Sequence, residues 1–137
     1  MLSVNAFAGI CGEKEGNMLY IGVDLGTSAV KLLLMNAEGK IESVVSKEYP
    51  LYFPHPGWSE QKPEDWWSAV LEGLKELTEN CDKSQIAGIS FGGQMHGMVA
   101  LDENDDVIRP AILWNDGRTQ KQTDYLNNVI GKETLSK

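Results

Sequence analysis

Hydrophobic residues recur along the chain in short runs that are separated by turn residues, a pattern typical of a sheet-containing protein. The first run, Leu19 to Asp24, predicts a buried strand. The second, Val30 to Met35, is followed by Asn36 to Gly39, whose Asn and Gly favour a hairpin turn. A third run, Ile41 to Tyr49, predicts another strand. Three strands in quick succession indicate an antiparallel meander.

A helix is predicted to follow a loop that runs from Pro50 to Pro63, because proline suits the first helical position. Lys62 is a poor N-cap, since its charge faces the positive end of the helix dipole. Asn80 marks the predicted end. The apolar residues that recur at helical spacing, and are expected to pack, are Trp66, Trp67, Val70, Leu71, Leu74 and Leu77.

Shorter elements complete the pattern. They are a strand from Ile86 to Phe91 that Gly92 and Gly93 end, a hairpin with its tip at Asp102 to Asp106 between Met98–Leu101 and Val107–Ile108, a strand from Ala111 to Trp114, and a weak helix from Thr119 to Ile130 that Gly131 ends.

The order of three strands, a helix and a further strand predicts an α/β fold with a mixed sheet that begins with an antiparallel meander. It resembles the start of the ribonuclease-H-like fold shared by actin, Hsp70 and sugar kinases, and it predicts a partial N-terminal domain of that type. Element order alone does not give function.

Residues 1–17 differ from the rest of the chain. Gly9, Gly12 and Gly16 interrupt them, and they show no period of a helix or strand. We expect an unstructured or non-native N-terminal extension over 1–17, a natural start at Met18, and one domain portion over 18–137. Intact-mass measurement of the natural product checks the start.

Composition narrows the classes of function. The 137 residues carry a formal net charge of -8, which argues against nucleic-acid binding and against attachment to an anionic membrane surface. Cys11 and Cys81 lack metal-ligand spacing, and two isolated cysteines fit a reducing cytoplasm. No apolar run reaches the length of a membrane span.

A candidate phosphate loop lies between the first two strands, from Asp24 to Ser28. A carboxylate at a strand end can hold hydrated Mg²⁺, Gly26 permits close approach of a phosphate, and Thr27 and Ser28 add hydroxyl donors. Lys31 is either a phosphate partner or a residue of the solvent face. A plain hairpin turn with Asp and Gly for geometric reasons is the alternative.

A candidate sugar loop, Gly92 to Gly97, follows the strand that ends near Phe91. Ligands bind at the carboxyl ends of strands in α/β sheets. Gln94 and His96 offer donors and acceptors for hydroxyl groups, and Met95 offers apolar contact. The alternative is a glycine-rich loop with one structural histidine.

These motifs resemble those of the FGGY family of carbohydrate kinases, and the resemblance covers Met18 to about Gly131. Residues 21–28 resemble the first phosphate motif of actin-like kinases. Residues 93–97 resemble the loop of members that phosphorylate the ketose D-xylulose. Residues 110–118 resemble a Trp-x-Asp-x-Arg segment beside the sugar pocket. The fourth match, residues 57–61 with 63–67, is interpreted as structural.

The resemblance implies roles for single residues. Asp24 is expected to organise Mg²⁺ and phosphate, with Gly26, Thr27, Ser28 and Lys31 at the ATP phosphates. The residues expected at the sugar are Gln94, Met95, His96, Trp114, Asp116 and Arg118. Core packing is the alternative for Trp114, and pairing with Asp116 is the alternative for Arg118.

The resemblance also implies missing parts. The general base, the second phosphate motif and the adenosine pocket are expected in sequence beyond Lys137, so we expect negligible kinase activity from this chain by itself. The expected parent is an ATP-dependent D-xylulose kinase, and a homodimer is the assembly considered for it. The alternatives are a kinase for another sugar or polyol and a truncated, non-catalytic binding module.

Overall fold

The computed structural model describes residues 18–136, so the expectations for residues 1–17 lie outside the described part of the chain. The elements in chain order are β1 (Leu19–Leu25), β2 (Ala29–Asn36), β3 (Ile41–Glu48), β4 (Glu60–Gln61), α1 (Pro63–Leu77), a 3-10 turn (Lys83–Gln85), β5 (Ile86–Gly93), β6 (Ala111–Ile112), α2 (Gln120–Tyr125), a π-helical turn (Leu126–Gly131) and α3 (Lys132–Leu135).

The predicted meander is confirmed. β1 pairs with β2 and β2 with β3, both antiparallel, while β5 pairs with β1 in parallel. The sheet order is therefore β3-β2-β1-β5, a mixed sheet as predicted. A separate two-stranded sheet joins β4 to β6.

The core lies between this sheet and α1. Alternate residues of β1 and β2 point to the same face, where Val30 and Leu32 are fully buried. Val70 and Leu77 of α1 cover them from the other side. Burial of these side chains supplies the main favourable free energy of this layer.

β5 is an edge strand of the sheet, at the end opposite β3. Its Ile89 and Phe91 pair with Ile21 and Val23, which belong to the core face, yet both remain exposed within the described part of the chain. α1 packs mainly on β2 and β3, at the other side of the sheet. Within the described residues, this edge of the sheet therefore presents exposed apolar side chains.

Helix α1 is confirmed, with a correction to its packing. It begins at Pro63, and Lys62 makes no side-chain cap, as expected. Trp66 packs against the core, but Trp67 and Leu71 are 60% and 48% exposed, and the packing predicted for these two residues is wrong. Trp67 and Leu71 lie four positions apart and are therefore neighbours on one face of the helix, and this face is exposed.

The later elements differ in extent from the prediction. β5 continues through Gly92 and Gly93, because both pair with β1. The strand predicted at Ala111 to Trp114 is only two residues long, and its partner β4 lies within the predicted loop. The weak helix is divided, and helical residues resume after Gly131, whose φ is +87°.

The predicted hairpin tip is present, since the N–H of Asp102 donates to the carbonyl of Asp106 over 2.9 Å. None of the helices formed by residues 18–136 is long and apolar enough to cross a membrane.

The contact between Gly73 of α1 and Leu32 of β2 gives a first prediction. A Cβ at Gly73 would clash with Leu32 Cδ1, and because Leu32 is fully buried its side chain would have to shift within the packed core. Overpacking typically costs about 1–3 kcal/mol, more than the roughly 1 kcal/mol gained in helix propensity. We expect Gly73→Ala to lower the free energy of unfolding by about 1 kcal/mol in urea denaturation.

Ser68→Ala is the matched control, because Ser68 is exposed on the same helix. It should leave stability unchanged or raise it slightly. A stabilising Gly73→Ala would contradict the close packing of α1 on β2.

Candidate functional site

The phosphate loop connects the carboxyl end of β1 to β2 in a tight turn. The N–H of Gly26 donates to the carbonyl of Ala29 over 3.0 Å, and a Cβ at Gly26 would lie 3.0 Å from that same oxygen. Only a residue without a side chain fits this turn comfortably. Residues 24–28 therefore form a compact turn at the end of β1.

Asp24 and Lys31 lie on one face of the sheet. They are directly paired across β1 and β2, and both are exposed. Paired residues of an antiparallel ladder point to the same side. Lys31 is therefore on the solvent-exposed face of the sheet, and Asp24 is on the same face. A place on the solvent face thus does not exclude Lys31 as a phosphate partner.

Tyr49 makes two hydrogen bonds to the backbone of the phosphate loop. Its hydroxyl donates to the carbonyl of Gly26, and its N–H donates to the carbonyl of Ser28 over 3.2 Å. Burial, with a smaller contribution from the negative charge of Asp24, raises the pKa of Tyr49 to about 12. The phenol therefore stays neutral and keeps its hydrogen available for Gly26 at ordinary pH.

The sugar loop lies beside the phosphate loop because β1 and β5 are parallel. Carboxyl ends of neighbouring parallel strands meet at one edge of the sheet. The N–H of Gln94 donates to the carbonyl of Leu25 over 2.9 Å, which joins the two loops by their backbones.

Side chains join the two loops as well. The hydroxyl of Thr27 donates to Gln94 Oε1 over 3.2 Å, and the indole N–H of Trp114 donates to Thr27 Oγ1 over 3.3 Å. The structure therefore brings together predicted residues from all three candidate segments. Trp114 is largely exposed and is not a core residue.

Gln61 is buried directly behind this junction. Its Nε2 donates to the carbonyls of Thr27 and Pro50 over 2.7 and 3.2 Å. Its Oε1 accepts from Trp66 Nε1 over 3.0 Å and from Gln94 Nε2 over 3.2 Å. One side chain thus contacts both candidate loops.

Met95 and His96 are the exposed part of the sugar loop. His96 has a φ of 62°, in the left-handed region where His, Asn and Asp are over-represented among residues other than glycine. None of the hydrogen bonds found in residues 18–136 uses its imidazole. Both side chains are therefore open to a ligand.

Asp116 and Arg118 are engaged inside the protein. Arg118 Nε and Nη2 donate to the two carboxylate oxygens of Asp116 over 2.7 and 2.8 Å, and Nη2 also lies 2.7 Å from Glu60 Oε1. The alternative that Arg118 pairs with Asp116 is confirmed. Arg109 Nη2 contacts the same oxygen of Glu60.

This ion cluster fastens the segment after β6 to the segment before α1. Asp116 Oδ2 accepts from the N–H of Ser59 over 2.7 Å, and the Arg118 guanidinium lies 3.8 Å from the ring centroid of Trp58. Hydrogen bonds from Arg118 hold the pKa of Asp116 well below its ordinary value, and those from Asp116 raise the pKa of Arg118. The cluster thereby fixes the backbone that carries Trp114.

Asp24 is the candidate ligand for a metal ion. Residues 18–136 contain no group of three or more His, Cys, Asp and Glu side chains that could enclose one. Mg²⁺ at phosphate sites keeps several waters and takes one or two carboxylates together with phosphate oxygens. The single exposed carboxylate at the end of β1 fits Mg²⁺ that arrives with a nucleotide.

The sequence did not indicate the residues that support the loops. Tyr49 was predicted only as the end of a strand, and Gln61 belongs to a segment interpreted as structural. Neither position carries a periodic or motif signal for contact with a loop. Gln61 and Gln94 are 33 positions apart and come into contact only when the sheet has folded, so the sequence did not reveal their hydrogen bond.

The structure thus places an Asp-Leu-Gly-Thr-Ser loop and a polar glycine-flanked loop side by side at the carboxyl edge of a mixed sheet. Residues 19–137 match the N-terminal domain of the FGGY family of carbohydrate kinases. The chain belongs to this family.

Three relatives give the extent of the likeness. Xylulose kinase of Bacillus subtilis (strain 168) is 49% identical over 117 residues, which cover 84% of this chain and 23% of the relative. Ligand-bound xylulose kinase from Lactobacillus acidophilus is 34% identical with a TM-score of 0.78, covering 82% of this chain and 23% of that one. Gluconate kinase from the same organism is 33% identical with a TM-score of 0.79, covering 83% and 23%.

These structures confirm the predicted ribonuclease-H-like fold as a partial domain. The chain spans about a quarter of the length of its relatives, 23% in the case of the Bacillus enzyme.

The raised pKa of Tyr49 predicts a dependence of stability on alkaline pH. The folded value of about 12 exceeds the unfolded value of about 10, so the neutral phenol stabilises the fold fully below pH 10, and this contribution is lost as the pH rises to 12. We expect Tyr49→Phe to reduce the alkaline fall in the free energy of unfolding. Urea denaturation at pH 8, 10, 11 and 12 measures it.

Tyr125→Phe is the control, because Tyr125 is exposed and distant from the loop in sequence. Its alkaline fall should equal that of the unmodified chain. Parallel pH curves for Tyr49→Phe and the unmodified chain would show that Tyr49 is not the titrating group.

The buried carboxylate of Asp116 predicts a dependence on acid. Its lowered pKa means that it stabilises the fold above the unfolded value of about 3.9 and that this contribution is lost as the pH falls below it. We expect Asp116→Asn to lower the free energy of unfolding by about 2–3 kcal/mol at pH 7, since a buried pair is broken. The deficit should shrink below pH 4.

Asp106→Asn, at an exposed carboxylate, serves as the comparison and should change stability by less than about 0.5 kcal/mol. A deficit in Asp116→Asn that is constant from pH 7 to pH 2 would contradict the role of the charge.

Proposed function

We propose that this chain forms the first phosphate-binding wall and part of the sugar wall of an ATP-dependent kinase that converts D-xylulose to D-xylulose 5-phosphate. The observation that carries the proposal is the hydrogen bond between Thr27 and Gln94, which joins a phosphate loop to a polar ligand loop at one edge of the sheet. The likeness to xylulose kinase of Bacillus subtilis supports the choice of sugar.

The residues divide into two groups. In the first, the backbone N–H groups of Thr27 and Ser28 and the hydroxyl of Ser28 bind phosphate oxygens, and Lys31 adds positive charge on the face of Asp24. The N–H of Gly26 is used within the turn, so Gly26 contributes by letting a phosphate come close to the backbone. Asp24 would hold Mg²⁺, which supplies neutralisation of phosphate charge when bound. A charge-neutralising loop of this kind favours transfer of a phosphoryl group.

In the second group, His96 hydrogen-bonds hydroxyl groups of the sugar, and Met95 and Trp114 contact its carbon face. The proposal leaves Asp116 and Arg118 with a supporting role, because their charged groups are used within the ion cluster. The general base is assigned to a second domain. A cytoplasmic location and a homodimeric parent also remain proposals.

The test is a coupled ATP assay on the protein that joins this chain to the remaining sequence of its gene. D-xylulose should give the highest kcat/KM among D-xylulose, gluconate and glycerol, and the chain by itself should give negligible turnover. His96→Asn should lower kcat/KM for D-xylulose about tenfold, the loss of roughly one hydrogen bond, with little change in the KM for ATP. Asn retains the left-handed backbone.

His55→Asn is the matched control, since His55 packs on Trp58 and lies outside both loops. Its kinetics should match those of the unmodified enzyme. Preference for gluconate or glycerol would replace the proposed sugar. Binding of D-xylulose without turnover by the joined protein would favour a non-catalytic binding module.

A further inference from the structure

Gln61 is the most enclosed polar side chain that the structure describes. It lies in β4 and its solvent exposure is 0%. Burying a primary amide without partners costs several kcal/mol by transfer measurements, so such residues are rare unless their hydrogen bonds are made. Here both amide hydrogens and both oxygen lone pairs have partners.

Its partners fix which way the amide points. The indole of Trp66 can only donate, so Gln61 Oε1 must face it. The carbonyls of Thr27 and Pro50 can only accept, so Nε2 must face them. The orientation therefore follows from the chemistry of the partners, which is the sound basis for assigning an amide.

The orientation of Gln61 determines that of Gln94. Because Gln61 Oε1 is an acceptor, it takes a hydrogen from Gln94 Nε2 and leaves Gln94 Oε1 for the hydroxyl of Thr27. The indole of Trp114 donates to the same hydroxyl, which directs its hydrogen toward Gln94. An unbroken chain of hydrogen bonds thus runs from Trp114 to Trp66, with an obligate donor at each end.

Two of the four partners of Gln61 belong to the candidate loops, at Thr27 and Gln94. A glutamine that only filled the core would have no reason to contact both. From these contacts we infer that Gln61 is a positioning residue that sets the distance and the relative orientation of the phosphate loop and the sugar loop. This inference rests on the proposed function for its kinetic consequence.

The kinetic consequence concerns turnover more than binding. Each loop keeps its own ligand-contacting groups when Gln61 is replaced, so each substrate should still bind. The alignment of the sugar hydroxyl with the transferring phosphate depends on both loops together, and misplacement by about 1 Å can cost about 100-fold in rate. The expected signature is a fall in kcat with little change in either KM.

Gln61→Met is the main test, because methionine has a similar length and no hydrogen-bond donors. In the joined protein we expect kcat to fall about 100-fold while the KM values for ATP and D-xylulose change less than about threefold. Hydrogen exchange, read by mass spectrometry on peptides covering 24–28 and 93–97, should quicken about tenfold.

Thr78→Val is the matched control, since Thr78 is also a buried polar residue and its hydroxyl donates to Leu74 within the far end of α1. It should lower stability while leaving kcat and the exchange of both loop peptides within about twofold. Gln61→Met kinetics and exchange that match those of Thr78→Val would overturn the inference.

Two further outcomes are decided by independent measurements. If Gln61→Met does not fold, Trp66→Phe provides a second test, because it removes only the indole donor to Gln61. We expect kcat to fall and the exchange of both loop peptides to quicken by about threefold. Unchanged exchange of the peptide covering 93–97 would overturn the inference. If the unmodified protein phosphorylates none of the sugars, the proposed function fails, and the exchange of the two loop peptides alone decides the role of Gln61.

Discussion

The parallel pairing of β1 with β5 is the constraint on which the candidate site depends. It places the carboxyl ends of two strands side by side, although β2, β3 and α1 lie between them in the sequence. Thr27 and Gln94, 67 positions apart, can then share a hydrogen bond. A parallel connection needs a long crossover, and the packing of α1 on the sheet provides it.

Polar contacts between side chains then fix the positions of the two loops and of the segment that carries Trp114. The hydrogen-bonded chain through Gln61 joins the two loops from behind, and the ion cluster around Arg118 fastens the segment that carries Trp114. A buried ion pair is weak evidence for stability, because desolvation offsets much of the attraction. Its clearer effect here is geometric, since Asp116 also binds the backbone of Ser59 and so fixes the separation of two segments.

The sequence allowed prediction of the elements whose pattern is local. The three strands of the meander and α1 have periodic apolar positions, and the two loops have residue types that suit their chemistry. β4 could not be predicted, since two residues carry no period. Trp67 was misplaced because helical spacing alone does not say how wide the buried face is, and the single layer of the sheet covers only one side of α1. Gln61 and Tyr49 act through partners that are distant in sequence, which composition and spacing do not encode.

The two candidate loops contain residues held by internal hydrogen bonds at their junction, Thr27 and Gln94, and exposed residues, Met95 and His96. This difference bears on which positions can change without altering the fold. Thr27 and Gln94 are held by Trp114 and Gln61, so their positions follow from the fold. Met95 and His96 project beyond that junction and are free of internal hydrogen bonds among residues 18–136, so they can differ without disturbing it. A xylulose kinase and a gluconate kinase match this chain with TM-scores of 0.78 and 0.79, so the backbone of this portion is common to kinases named for two different substrates. Under the proposed function, the exposed side chains of the sugar loop are the positions in this chain where a change of one residue would alter the ligand contacts and leave the alignment of the two loops intact.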